Sequence, residues 1–397
     1  MDCFIGAATG AFKAVNLREN CFSNLNEVKS LNPKSDEVTS MIWNNDEQTE
    51  VLISKISRRL QIFNLDDSTF QDLFVLEGGS GPVKGLVRKS NLLFSCVESG
   101  EVRCWNAENK ILHEWNAGPN VRKMRGNADS EEIVTGGEKN LVKLWDMNTG
   151  KLKWNAKNVR PDMLGLEVPT LCTDLRFAEN FILEATKLHE MRVYDPRSQR
   201  RPINRIQFME NPIMATSLCY KKNYAIAANS IGEIGLFDLR SHRHPVCKFK
   251  GQCGSIRSID AHPTEPLFAS VGIDRFVRVH NIDNRKLIHK IYCKTRLNVV
   301  LIRNDLTILN NAVKKEEKNE DEGEYGNMTS GGYVEEDSEN DEDCWDEIEG
   351  VAKDGESEES EFESEPEAKE PKTNIKKRKN TAAKPKGSKK IRKTEKA

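Results

Sequence analysis

None of the ten cysteines pairs with another at CxxC spacing, and no apolar run approaches the roughly 20 residues that a membrane-spanning helix needs. The opening MDCFIGAATGAF lacks a basic leader and a sustained apolar core, which predicts no secretory signal. The cysteines are scattered, and many sit in strand-like apolar runs where a free thiol acts as a small hydrophobe. A reducing compartment is expected, and the lone sequon at Asn327 is expected to be fortuitous. No membrane association is expected.

Catalytic signatures are also missing. There is no GxxxxGK[ST] loop; the nearest glycine-rich stretch, GGSGPVKG at 78–85, has the wrong spacing and falls where a connecting loop belongs. HExxH and GxSxG are absent. His242, His244, Cys247 and Cys253 in HRHPVCKFKGQC match no zinc-ligand spacing. The chain is therefore read as no enzyme, with no catalytic residues, no metal and no cofactor.

What is present is a repeat. Two alternating apolar residues, a ring and then Asn or Asp recur as LQIFNL at 60–65, VRCWNA at 102–107, VKLWDM at 142–147, MRVYDP at 191–196, IGLFDL at 234–239 and VRVHNI at 277–282. A weaker first copy is FKAVNL at 12–17, with Val15 in the place of the rings Phe63, Trp105, Trp145, Tyr194, Phe237 and His280. A period near 40–45 residues with a Trp-Asp-like pair is the mark of a propeller blade. Short β-rich runs flank each copy, such as LLFSCV at 92–97 before and KLKWNA at 151–156 after, and helical periodicity is lacking. Tight turns precede the motif: Thr9-Gly10, Ser99-Gly100, Gly136-Gly137, Ile231-Gly232 and the run from Gly272 to Arg275.

These features predict an all-β fold, a seven-bladed WD40-type β-propeller over 1–310 with a disordered acidic-then-basic C-terminal tail. A four-stranded sheet cannot bury both faces alone; stacked in a ring, each blade covers the next. Residues 2–17 supply too few strands for their blade, so LNVVLI at 297–302 is expected to complete it and close the ring. The repeats are degenerate. The turn Asp that normally ties the ring by hydrogen bonds is clear only at Asp274, so most blades are expected to rely on packing and glycine turns.

Charge divides the remainder. The net charge of −2 hides an acidic block at 314–371, with 25 Asp and Glu against five Lys, and a basic end at 372–397, with 12 Lys and Arg against one Glu. Apolar residues are too sparse from Val313 onward to offset ordering entropy, so 311–371 is read as an acidic disordered linker. Ser338, Ser360 and Ser364 each have an acid three positions on, which suits acid-directed kinases. The CWDEI run at 344–348 is a candidate docking motif within a solvating spacer. The clusters Lys376, Lys377, Arg378, Lys379 and Lys389, Lys390, Arg392, Lys393 make 372–397 a nuclear and nucleolar localisation tail, able also to meet RNA phosphates.

Four stretches stand out: TGGEKNLVKLWDM at 135–147, AKNVRPDMLGLEVPTLCTDLRF at 156–177, MRVYDPRSQRRPI at 191–203 and GSIRSIDAHPTEPLFASVGIDRFVRVHNI at 254–282, of which the AKNVRPDMLGLEVP and YDPRSQRRP parts are far more specific than the repeat. In order and spacing they resemble the WD repeat-containing protein 74 family, over roughly residues 3–303 and with a charged tail ending in basic clusters. That resemblance implies a nucleolar, non-enzymatic scaffold in maturation of the large (60S) ribosomal subunit and in pre-rRNA processing. The implied partners are the pre-60S particle (its proteins and rRNA), an AAA-type ATPase that acts on the factor and, indirectly, an exosome-associated RNA helicase. The chain would be a monomer within that larger complex. By motif position the contact surface is assigned to Lys139, Asn140, Arg160, Asp162, Tyr194, Asp195, Arg200 and Arg201. The alternative is a chromatin or histone-binding propeller whose acidic tail engages basic histones.

Overall fold

The computed structural model describes residues 1–306 except 162, 242 and 243. The acidic segment 311–371 and the basic segment 372–397, with every residue of the expected localisation signal, lie outside the described residues. Blade one contains β1 (Cys3–Ala7), β2 (Phe12–Asn16) and β3 (Cys21–Asn24). A short 3-10 turn at Val28–Ser30 and a single helical turn at Pro33–Asp36 follow. Blade two is β4 (Val38–Trp43), β5 (Glu50–Lys55), β6 (Arg59–Asn64) and β7 (Thr69–Val75). Blade three is β8 (Val83–Lys89), β9 (Leu92–Val97), β10 (Glu101–Trp105) and β11 (Ile111–Asn116). Blade four is β12 (Val121–Gly126), β13 (Glu132–Gly137), β14 (Asn140–Asp146) and β15 (Leu152–Asn155). Blade five is β16 (Cys172–Ala178), β17 (Phe181–Thr186), β18 (Glu190–Tyr194) and β19 (Asn204–Gln207). Blade six is β20 (Ile213–Leu218), β21 (Tyr224–Asn229), β22 (Ile234–Asp238) and β23 (Cys247–Phe249). Blade seven is β24 (Ile256–Ala261), β25 (Leu267–Gly272), β26 (Phe276–Asn281) and β27 (Leu287–Tyr292).

The last strand, β28 (Leu297–Ile302), pairs antiparallel with β1, from Cys3 opposite Ile302 to Ala7 opposite Leu297, so blade one reads β28-β1-β2-β3. The expected closure by 297–302 is therefore observed, and the described chain forms seven four-stranded sheets.

Burial falls from the inside outward. The second strand of a blade is covered on both faces by its neighbours, so β9 and β13 are buried from their second residue onward. This is why LLFSCV and EIVTGG are nearly continuous apolar or small runs. The outer strand β11 is exposed at almost every residue. All seven ring positions are buried, Val15 and His280 included. The core lies between blades: Phe4, Phe12, Val38, Met41, Val51 and Phe63 join blades one and two.

Neighbouring inner strands are stitched by side chains at the repeat spacing. Asp174 Oδ2 accepts the Thr216 N–H at 2.9 Å, Ser217 Oγ accepts that of Ala261 at 3.2 Å, and Asp260 Oδ2 accepts that of Ile302 at 2.9 Å. Inner-strand N–H groups that would form an unpaired edge are thereby satisfied.

The expectation that most blades forgo a bonded ring is corrected. Trp105 Nε1 donates to Ser95 Oγ at 2.8 Å, Trp145 Nε1 to Thr135 Oγ1 at 2.9 Å, and Tyr194 Oη to Glu184 Oε2 at 2.8 Å. Each acceptor lies ten residues back, on the adjacent strand. His280 Nε2 bonds the Lys250 carbonyl at 3.0 Å, leaving only Val15, Phe63 and Phe237 to packing alone.

Candidate functional site

The connection from β15 to β16 is the longest link between successive blades, and its base is pinned. Asn158 Nδ2 donates to the Val168 carbonyl at 2.6 Å. Farther along, the Thr170 carbonyl accepts the Lys139 N–H at 2.8 Å and the Leu171 carbonyl accepts the Lys187 N–H at 2.9 Å. The same connection is tied to the segment between β18 and β19. Lys157 N–H donates to the Arg200 carbonyl at 2.7 Å, and Arg200 Nε donates to the Asn155 carbonyl at 2.6 Å. Together these two segments line a depression of about 400 Å³ at the junction of blades four and five, with Lys157, Val159, Pro161, Glu167, Arg200 and Arg201 in its wall.

The residues expected at the contact surface divide accordingly. Arg160 and Arg200 are exposed and Arg201 is half-buried, with its Nε enclosed and unbonded. Lys139 is exposed, on the turn beside Thr170. Asp195 is half-buried and accepts the Arg197 N–H at 3.0 Å, shaping its own turn. Two members are corrected. Tyr194 is fully buried with its hydroxyl on Glu184, and Asn140 is buried with Nδ2 shared between the Ala117 and Pro119 carbonyls, both at 3.1 Å. Neither presents a side chain to a partner; each holds its blade in shape. Asp162 lies outside the described residues.

The motifs also missed two features. The first is the tip of the same connection. Met163 is fully exposed, Leu164 is 84 % exposed and Leu166 63 %, with Gly165 between them in the left-handed region at φ +77°. The run MLGL in an otherwise polar segment is the signal that could have found it.

The second is the central channel. One mouth is a hollow of about 550 Å³ whose wall includes Lys84, Arg122, Lys123, Lys187 and Arg257. Arg122 and Lys187 share Glu138, and Lys84 pairs with Glu98 at 3.5 Å. Lys123 is half-buried at the lumen yet enclosed by the channel wall. Burial, reinforced by Arg125, Arg176 and Lys84 and opposed by Asp174, brings its ammonium down to about 8. The cations come from the first strands of blades three, four and seven and, in Lys187, from the turn after β17, so no local motif announces them. Among the described residues no cluster of His, Cys, Asp or Glu could hold a metal ion, and no helix is long and apolar enough to cross a membrane.

Comparison with known proteins fixes the family. The WD domain, G-beta repeat model matches residues 243–281, which span β23 through β26. The chain is 33 % identical over 311 residues to WD repeat-containing protein 74 of Homo sapiens, covering 75 % of this chain and 80 % of that protein. The chain belongs to the WD repeat-containing protein 74 family. It is also 26 % identical over 216 residues to Ribosome biogenesis protein NSA1 of Saccharomyces cerevisiae, covering 45 % of this chain and 46 % of the yeast protein. A crystal structure of the computationally designed Ika8 protein superposes with a TM-score of 0.56 at 15 % identity, over 76 % of this chain and 87 % of that one, a likeness of fold alone. These relatives' names carry no enzymatic activity.

Proposed function

We propose that this propeller is a non-enzymatic scaffold in large-subunit ribosome biogenesis and pre-rRNA processing, docking on pre-60S particles in the nucleolus. The family and the yeast relative, a protein named for ribosome biogenesis, support the process. The observation that supports the docking surface is the bonding of the 155–171 connection to the 195–203 segment, which gathers Lys157, Arg160, Arg200 and Arg201 at one junction. Loops held by a rigid framework are where binding concentrates, and Arg holds phosphate or carboxylate through two bonds. In this reading an AAA-type ATPase releases the factor, an exosome-associated RNA helicase acts in the same pathway, and the basic segment 372–397 delivers the chain to the nucleolus.

The test is sedimentation. The tagged chain should co-migrate with large pre-ribosomal particles and leave those fractions when ribosomal transcription stops. The double variant Arg160→Glu/Arg200→Glu should weaken particle binding about tenfold or more, the equivalent of 1.4 kcal/mol, with its unfolding temperature kept within a few degrees. Co-migration with nucleosomes instead would favour the histone-binding alternative.

A further inference from the structure

The tip of the β15–β16 connection is unlike the rest of the surface. Three large aliphatic side chains, Met163, Leu164 and Leu166, stand exposed within four residues. Other exposed apolar residues are single, such as Ile231 and Val246, or are neighbours on the outer strands β11 and β27, Ile111–Leu112 and Leu287–Ile288, where successive side chains point to opposite faces; scattered ones need no explanation, whereas a contiguous apolar patch marks an interaction site. The tip is presented rather than loose. The Asn158–Val168 bond closes its base, and the bonds at Thr170 and Leu171 fix the chain as it re-enters the propeller. A loop held this way has already lost part of the freedom that binding would remove.

The flanks define the partner. Lys157 and Arg200 line the depression beside the tip, Arg160 is exposed between its lining residues Val159 and Pro161, and Lys139 is bonded to Thr170 at the tip's return; among the described residues Glu167 is the one acid lining that depression. Bare aliphatic side chains offer RNA neither a stacking plane nor a charge. A lipid bilayer is also a poor match: the three side chains together carry fewer carbons than one myristoyl chain, which alone binds a membrane only marginally. A protein cleft, apolar at its floor and acidic at its rim, satisfies both halves.

We infer that Met163, Leu164 and Leu166 form an apolar plug that seats in an acid-rimmed cleft of a protein component of the particle to which this chain binds. The inference rests on the proposed docking to pre-60S particles. It adds a specific anchor that charge alone would not supply, with the cations steering and the plug setting the residence time.

The experiment uses the full chain and pre-60S particles purified from cells depleted of it. Met163→Asp/Leu164→Asp should bind the particles more than tenfold more weakly, while Met163→Leu/Leu164→Met binds as wild type does. Both should unfold at the wild-type temperature, because the positions are outside the core. An Asp variant that binds as tightly as wild type overturns the plug and leaves particle docking intact. Wild type that fails to bind the particles overturns both readings. Two probes complete the test, phosphatidylserine vesicles and polyuridine RNA. If wild type binds either and the Asp variant loses that binding, the tip serves lipid or RNA and the protein cleft is refuted.

Discussion

At the scale of single residues, the polar groups buried in this ring are spent on geometry. Asp174 shows how. Its Oδ2 accepts the Thr216 N–H and hydroxyl, at 2.9 and 3.2 Å, and its Oδ1 accepts the Leu175 N–H at 3.0 Å. Burial pushes this carboxyl upward, but Arg125, Arg176, Lys123 and the Thr216 amide outweigh it and hold it at about 2, below the ordinary 3.8. A depressed carboxylate contributes stability that is present above pH 3.8 and is lost as pH falls through about 2. Asp174→Asn keeps an acceptor but leaves three cations without their shared counter-charge. It should lower stability at pH 7 by about 1–3 kcal/mol, and the gap to wild type should narrow below pH 4. Urea denaturation at pH 7 and at pH 3 measures both; a gap of equal size at the two pH values would show that charge is not the cause. The role of Asp174 was illegible in CTDLRF because its partner lies 42 residues away in the next blade. Tyr194 and Asn140 misled for a related reason: a residue that stands out in a motif is as often holding the repeat together as meeting a partner.

At the scale of elements, the period of the rings and the alternating runs beside them located the blades, and the shortage of strands before Val15 located the closing strand. The turns were less legible. In every blade the connection between second and third strands carries one residue in the left-handed region, but only Gly10, Gly100 and Gly232 are glycines. Arg58, Lys139, His189 and Arg275 take that place in the other four, at φ between 52° and 69°. Gly137 is needed for another reason, since a Cβ there would lie 1.9 Å from the Asn120 carbonyl oxygen. A composition search for glycine therefore finds fewer than half of the turns, because the surrounding strand pairing holds larger residues in a conformation that they seldom choose. The closing strand gives the sharper test. Leu297 is fully buried in the core shared by blades seven and one, and Asn298 Nδ2 reaches the Val38 carbonyl of blade two at 3.0 Å. Leu297→Ala should cost about 2–5 kcal/mol. A chain ending at residue 294 loses the whole inner strand of blade one and should not unfold cooperatively. A cooperative transition of wild-type stability in that truncated chain would mean that the ring does not depend on its clasp.

At the scale of the whole molecule, two kinds of sequence information served two questions. Repeat spacing specified the architecture, which proteins of quite different sequence share, as the likeness of fold to the designed Ika8 protein at 15 % identity illustrates. The individual stretches at 156–177 and 191–203 pointed to the family, and the structure joins them at one junction by the Lys157–Arg200 bond. The exposed MLGL tip was not legible because three aliphatic residues in a sequence read as buried core as readily as exposed surface, and only the fold decides. Location is a property of the chain as a whole. The segment before residue 314 carries 43 basic and 36 acidic residues, a mild excess whose cations are partly paired within the propeller. The two clusters at 376–379 and 389–393 are dense, and a receptor reads density rather than net charge. Removing 372–397 deletes both clusters and should leave the tagged protein in the cytoplasm by fluorescence microscopy, while the purified propeller keeps its unfolding temperature and its affinity for isolated pre-60S particles. Restoring Lys376, Lys377, Arg378 and Lys379 alone should recover nuclear entry if the clusters act as addresses. Nucleolar accumulation of the truncated protein would instead assign its location to docking by the propeller, with the basic end serving RNA contact.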